Sequence, residues 1–574
     1  MKRPSKTISK AVVGTSLAVL LSMPTVAGAV QHTVPGAEAQ GSVSVSYNAP
    51  AVQAKQVMVP AKAVAESLGA KVKWDAKSRA ATIARGEVIV VVTVGKAQAV
   101  INGKPANAGQ PVAIKDSKVM VPLAFINAAF GTDVQWNAAA GAASFEKDDY
   151  IGLAGAYIYH LFNGQNGKAA ALMNDELKKA LPESVLTLLA QQIQSAVGQP
   201  LMQKSAKIKV NAVHTNVEMT YETKGASADF TIRFDANGRI DDLSIKPASI
   251  AAAYSKPAYD LNNYTEQEVA IGEGIFALPG TLTMPKGEGL HPVVILVHGS
   301  GPNDRDSTIG GTKVFKDIAA GLASHNIAVL RYDKVTREHP FKVSTQPKFT
   351  IKNESVDDVI QAIQLVKNKP GIDPSRIYIA GHSQGGYVMP MILADDSAKD
   401  IAGAILLSAP SEQMTDVLIE QQNNALERLQ QLGAPEATIA AQKGAAATWK
   451  GIAELVQDSR YSKDNLPQNF PVPPAYWWFE QRDYIPAEIA QGQTKPMLVL
   501  QGENDWQVSM KQYEGWKEAL KSRTDVSYLS YPKVNHLLVE YDGLSVGMEY
   551  NNPANVSAAI IKDIADWIGK SSSK

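Results

Sequence analysis

From about residue 268 onward, short apolar runs alternate with segments of helical period, and this alternation limits the fold more than any other feature of the chain. Val293–Val297, Ala328–Tyr332, Ile377–Ala380, Gly403–Leu407 and Met497–Leu500 are apolar on both faces, as strands covered from both sides must be. Glu354–Val366 and Val556–Ile568 carry helical spacing. Strands alternating with helices predict an α/β class fold, a mostly parallel sheet doubly wound with helices.

Within that pattern one turn carries chemistry. Ile377–Ala380 is a strand, Gly381-His382-Ser383-Gln384-Gly385 a tight turn, and Gly386–Leu393 is helical. G-x-S-x-G in a strand-turn-helix context lifts a serine hydroxyl clear of the sheet, with glycines where the two backbones close on each other. Ser383 is therefore the candidate nucleophile. Such a serine needs a base, an orienting acid and donors for an oxyanion. The strand Met497–Leu500 runs into Gln501-Gly502-Glu503-Asn504-Asp505, which makes Asp505 the candidate acid and Glu503 its competitor. Val526–Tyr531 leads to Asn535-His536, and of nine histidines only His536 follows Asp505. One oxyanion donor is expected from the backbone N–H of Gln384. The second should come from His298-Gly299-Ser300-Gly301-Pro302, from Ser300 or Gly301, because proline has no N–H to give. His298 is expected to pack the loop.

The order Ser383, Asp505, His536 resembles that of the α/β-hydrolases. Gly502 to Val508 is similar to the Gly-x-x-Asp-x-x-Val signature around the acid in that superfamily. His298 to Asp306 resembles the branch of dienelactone hydrolase-like and serine aminopeptidase-like proteins, and the likeness spans roughly 272–570. It implies a hydrolase domain over 268–570, acting through an acyl-enzyme without metal or organic cofactor. Arg305, between Asp304 and Asp306, is placed to brace the oxyanion loop by ion pairing or to sit as a solvated loop charge.

More than eighty residues separate Pro410 from Met497, far beyond a plain crossover, so a cap is expected at about 411–490. Met414–Leu432 and Ala434–Val456 are helical by composition. Tyr476-Trp477-Trp478-Phe479 either walls a substrate pocket or fastens the cap to the core.

The N-terminal part repeats itself. Val57-Met58-Val59-Pro60 and Val119-Met120-Val121-Pro122 each open a segment that reaches a glycine, Gly69 or Gly131, and a tryptophan, Trp74 or Trp136, and all three offsets are 62 residues. Each proline can start a helix that its glycine ends, and Asn102-Gly103 marks a hairpin. These paired motifs resemble the copper amine oxidase N-terminal-like domain, here assigned to 41–147. That range has no histidine or cysteine, so no metal is expected there, and a spacer or cell-wall contact is the favoured role. Residues 148–247 place helices at Ile151–Phe162 and Ser184–Val197 before strands within Ala206–Thr223, Ala228–Phe234 and Ile240–Ile245. This second small α+β unit looks like a domain of unknown function, and 248–267 is expected to be a linker. His160 and His214 are given no chemistry.

Lys2, Arg3, Lys6 and Lys10, the apolar stretch Ala11–Leu21 and Ala27-Gly28-Ala29 form the three parts of a secretory signal over 1–29, cut after Ala29. The apolar run is too short to predict a transmembrane span. The chain has no cysteine, so disulfides and cysteine-ligated metals are excluded. With 56 basic and 56 acidic side chains, charge does not favour nucleic acid as a partner. The first reading is a secreted esterase of small or medium acyl esters, extracellular or wall-associated, with a small-molecule ester as partner. The alternatives are an aminopeptidase or acylpeptide-type serine peptidase, and a wall-associated binding protein with an inactive hydrolase fold.

Overall fold

The computed structural model describes residues 57–85, 88–130, 132, 134–137, 142–145, 148–223, 227–248 and 253–571. The signal sequence expected over 1–29 and its cleavage after Ala29 lie outside the described residues, as does Gly131 of the repeat. Among the described residues no helix is long and apolar enough to cross a membrane. The chain divides into two compact units, one holding both N-terminal parts and the other the C-terminal part.

In the first unit the two Val-Met-Val-Pro segments pair with each other, Met58 opposite Pro122 and Pro60 opposite Met120 in an antiparallel ladder. Helices Ala61–Ser67 and Leu123–Phe130 follow them. The first helix ends on Gly69 at φ +69°, where a side chain would be strained. Asn102 and Gly103 both have positive φ, which matches the twist of the hairpin Gln98–Ile101 to Lys104–Asn107. Four helices between Tyr150 and Val197 then precede a four-stranded antiparallel meander from Pro200 to Pro247. Here His160 is paired with Gln165 and His214 with Asp241.

The second unit is built on one eight-stranded sheet. Its strands are β1 (Tyr264–Ile271), β2 (Leu278–Pro285), β3 (His291–Val297), β4 (Ala328–Tyr332), β5 (Ile372–His382), β6 (Ile401–Leu407), β7 (Met497–Gly502) and β8 (Val526–Tyr531). They lie in the order β1-β2-β4-β3-β5-β6-β7-β8. β1, β2 and β4 pair antiparallel, and every later neighbour is parallel. The fold is thus α/β, with a mostly parallel sheet.

Alternation along β3 shows why both faces are covered. Val293, Ile295 and Val297 join the core beneath helices α2 (Asp357–Lys367) and α9 (Met510–Ala519), with Trp516 fully buried. Val294 and Leu296 join the opposite core, beneath α1 (Val314–Ser324) and α10 (Ala558–Ser571). Helices α3 (Gln384–Tyr387) and α4 (Met389–Leu393) follow the Ser383 turn. The segment between β6 and β7 holds α5 (Met414–Gln431), α6 (Glu436–Gln457), α7 (Ala475–Glu480) and α8 (Pro486–Ala490), the cap expected at about 411–490.

Among the boundaries that differ from the sequence reading, two change how an element is read. The linker expected over 248–267 gives way at Tyr264 to β1, an edge strand whose residues 265–268 are all exposed, so its sequence is polar despite its place in the sheet. The helix expected after Gly385 starts at Gln384 and is divided at Val388, ahead of Pro390.

Candidate active site

Every sequence-derived site residue lies beyond the carboxyl ends of β3, β5, β7 and β8, where loops from parallel strands converge. β5 delivers Ser383 in a backbone conformation that few non-glycine residues adopt, φ +53° and ψ −119°. The turn is pinned by Ser383 N–H donating to Leu407 O at 2.9 Å, while Gly386 N–H and Tyr387 N–H donate to Ser383 O. A Cβ at Gly381 would fall 2.3 Å from Gly385 O, and one at Gly385 would fall 2.2 Å from Val297 O. Only glycine fits at either position. Ser383 is half-buried, and among the described residues its hydroxyl forms no hydrogen bond.

Asp505 and His536 come together as the sequence order suggests. His536 Nδ1 donates to Asp505 Oδ2 at 2.8 Å, and Oδ1 of the same carboxylate accepts from Gln507 N–H at 2.8 Å and Val508 N–H at 2.9 Å. Asp505 is 1% exposed. The competitor Glu503 is exposed and accepts instead from Ser530 Oγ. Beneath His536, His382 Nε2 donates to His536 O at 2.8 Å, and the two rings lie 4.8 Å apart. Burial, assisted by repulsion from His536, pushes the His382 imidazole down to about 3. It is a neutral prop.

The loop after β3 closes on the serine: a Cβ at Gly299 would fall 3.3 Å from Ser383 Cβ. Asn303 Nδ2 gathers the carbonyls of Gly299, Ser300 and Gly301 at 3.0 to 3.3 Å. The buried ammonium of Lys334 donates to Gly299 O at 2.9 Å and to Glu354 Oε1 at 2.6 Å. His298 packs the loop, stacked on Phe315 at 4.8 Å and bonded to Tyr332 O, and burial pushes it down to about 4. Arg305 does brace the loop, but not through its neighbours in sequence. Its guanidinium pairs with Asp333 at 2.9 Å and with Glu268, whereas Asp306 pairs with Lys313 and Arg331 and Asp304 accepts from Thr308 N–H.

The cap reaches three parts of this arrangement. Arg428 of α5 donates to the carbonyls of Asn504, Asp505 and Ser545 at 2.9 to 3.1 Å. Tyr484 Oη donates to Tyr387 O at 2.9 Å, and Trp477 Nε1 of α7 to Glu354 Oε2 at 2.8 Å. Trp478 and Phe479 are buried against Phe470 of the same segment, so these two aromatics build the interior of the cap, in a cluster continuous with the core on that face of the sheet. Sequence reasoning missed Lys334, Glu354, Arg428 and Tyr484. A signal existed for Lys334, a charge two residues beyond the doubly buried β4 at the edge of the sheet where ligands bind in such folds. A separate groove of about 870 Å3, lined by Ile271, Phe276, Leu278, Val343 and Phe349 among others, includes none of Ser383, Asp505 and His536.

Known proteins show the family of the chain. A family model described as serine aminopeptidase, S33 matches residues 291–542, and one described as copper amine oxidase N-terminal domain matches residues 38–144. Esterase EstD of Thermotoga maritima is 34% identical over 341 residues, covering 59% of this chain and 76% of that protein. The chain belongs to the α/β-hydrolase family that includes this esterase. It is an esterase-like hydrolase carrying a copper amine oxidase N-terminal domain. Among solved structures, Est1E from Butyrivibrio proteoclasticus aligns over 54% of this chain and 99% of its own, at 16% identity and a TM-score of 0.35. A puromycin-hydrolyzing peptidase from Mycobacterium tuberculosis aligns over 65% of this chain and 48% of its own, at 16% identity and a TM-score of 0.34.

Proposed function

We propose that this chain is a secreted serine hydrolase that cleaves carboxylic esters of small or medium acyl groups through an acyl-enzyme. The observation that carries the proposal is the buried pair of Asp505 and His536, joined at 2.8 Å and lying after a serine on a strained strand-turn-helix elbow. With Nδ1 of His536 committed to Asp505, Nε2 is the nitrogen left to act as base. It takes the Ser383 proton as Oγ attacks the acyl carbon, and Asp505 stabilises the imidazolium. The N–H groups of Gln384 and of Ser300 or Gly301 receive the oxyanion. The imidazolium returns its proton to the departing alcohol, and a water deprotonated by His536 then releases the acid. No step uses a metal or organic cofactor.

Covalent labelling by a fluorophosphonate tests this directly: the wild type is expected to label and Ser383→Ala not to. A folded wild type that fails to label would instead favour a wall-associated binding protein with an inactive site. The family model's description favours a second reading, a serine aminopeptidase. A peptidase that grips a free amino terminus needs buried carboxylates near its cap, whereas among the described residues no Asp or Glu between 411 and 490 is buried, and Glu412 and Glu420 are committed to Lys511 and Gln512. p-Nitrophenyl esters and amino-acid p-nitroanilides, assayed on one preparation, separate the two, and rapid cleavage of the anilides alone would rule out the esterase. Export rests on residues 1–29, and a mature N-terminus at Val30 in the culture medium or wall fraction is the expected result. The N-terminal domain is proposed to make the wall contact.

A further inference from the structure

A lysine ammonium taken out of water costs several kcal/mol unless it is paired and fully hydrogen-bonded. Lys334 is such a group, with its side chain 1% exposed. A neutral donor could hold a loop carbonyl at lower cost, so what the charge does to its acceptor matters. That acceptor is Gly299 O, the carbonyl of the Gly299–Ser300 peptide, and the N–H of the same peptide belongs to Ser300.

In a trans peptide the C=O and N–H point in opposite directions. With Gly299 O turned toward Lys334 and Asn303, the Ser300 N–H is turned the other way. A cation on the carbonyl also draws electron density toward oxygen, which makes the N–H of the same peptide a stronger donor. The ammonium is itself held. Glu354 Oε1 accepts from it at 2.6 Å, and Glu354 Oε2 accepts from Trp477 Nε1 at 2.8 Å, so both carboxylate oxygens are fixed. Burial keeps the carboxyl of nearby Asp358 well above the usual carboxylate range, which leaves Glu354 as the hydrogen-bonded counter-ion.

We propose that Lys334 is a positioning residue for the oxyanion pocket, acting through the Gly299–Ser300 peptide to aim and strengthen the Ser300 N–H, with Glu354 and Trp477 of the cap holding it there. The proposal rests on reading Ser383 as nucleophile, and it selects Ser300 over Gly301 as the second donor. It also gives the cap a catalytic consequence, because Trp477 belongs to α7.

The test compares Lys334→Met, Lys334→Arg, Ser383→Ala and the double variant Lys334→Met/Glu354→Met in the full chain, with a p-nitrophenyl ester as substrate. A trifluoromethyl ketone, whose adduct with serine carries an oxyanion, serves as probe. Lys334→Met is expected to lower kcat about tenfold at nearly constant KM and to weaken the ketone in parallel, less than the loss from deleting a donor outright. Lys334→Arg should recover part of the rate. Replacing both buried charges leaves neither charge unpaired, although Trp477 Nε1 loses its acceptor, so the double variant should regain part of the lost thermal stability while staying slow. A folded Lys334→Met, or a double variant, with kcat within about twofold of wild type overturns the proposal. So does a loss confined to KM, or unchanged ketone affinity. If Ser383→Ala hydrolyses the ester like the wild type, the reading of the site has failed, a result distinct from failure of Lys334 alone.

Discussion

The two halves of the site are held in different ways. Asp505 and His536 depend on a single carboxylate: Asp505 is fixed by the N–H groups two and three residues on and itself holds His536 Nδ1, while Arg428 and His382 bond only the main-chain carbonyls of the two residues. The loop after β3 is held by several anchors at once: Lys334, Asp333 and Glu268 reach it directly, and Glu354 and Trp477 stand behind Lys334. A half that hangs on one carboxylate has one point of failure. A half with several remote anchors should fail by degrees.

Breaking the Asp505 half should therefore have the largest effect. Asp505→Asn keeps the shape but changes what Nδ1 of His536 can donate to, so kcat is expected to fall about 10⁴-fold with little change in melting temperature. Steady-state ester hydrolysis beside a thermal melt checks this, and a loss under about tenfold would mean that Glu503 can serve as the acid. Arg428→Ala comes next. It removes the cap's hydrogen bonds from the Asn504–Asp505 turn and the nearby Ser545 carbonyl, and a misplaced acid should cost between about tenfold and 10²-fold in kcat/KM. Asn303→Ala should cost less, under about tenfold in kcat, because Lys334 still holds Gly299 O. If Asn303→Ala proved as damaging as Asp505→Asn, the contrast between the halves would be wrong.

The same contrast explains what the sequence reveals. The sheet is legible because Val293–Val297 and its fellows must be apolar on both faces, and the Ser383 and Asp505 turns because each follows such a strand directly; His536 follows β8, an edge strand with no buried residue, and is legible only by its place in chain order. The paired Val-Met-Val-Pro segments are legible because the repeat copies one local structure twice. Arg305 misleads, since the aspartates beside it in sequence bind other cations and its partners are 28 and 37 residues away. Glu354 is hidden in a stretch of helical spacing, where a five-residue π-helical turn, Lys352–Val356, precedes α2 and no periodicity marks it as a counter-ion. β1 is hidden because edge strands expose polar residues that resemble a linker.

The smallest effect expected concerns acid stability, and it touches both halves at once. His298 lies in the oxyanion loop and His382 beneath His536, and burial pushes their imidazoles down to about 4 and about 3 from an ordinary 6.5. Both are neutral in the folded chain at pH values where the unfolded chain binds protons. Their contribution is thus complete above pH 6.5 and is lost as the pH falls from there toward 4 and 3. Each can steepen the fall by at most about 1.4 kcal/mol per pH unit. His298→Phe keeps a ring to stack on Phe315 but cannot titrate, so urea denaturation should find it less stable than wild type at pH 8 and shallower in its acid slope. The gap between the two proteins should narrow as the pH falls toward 5. A wild-type slope unchanged by this substitution would mean that carboxylates, not the buried imidazoles, set the acid limit.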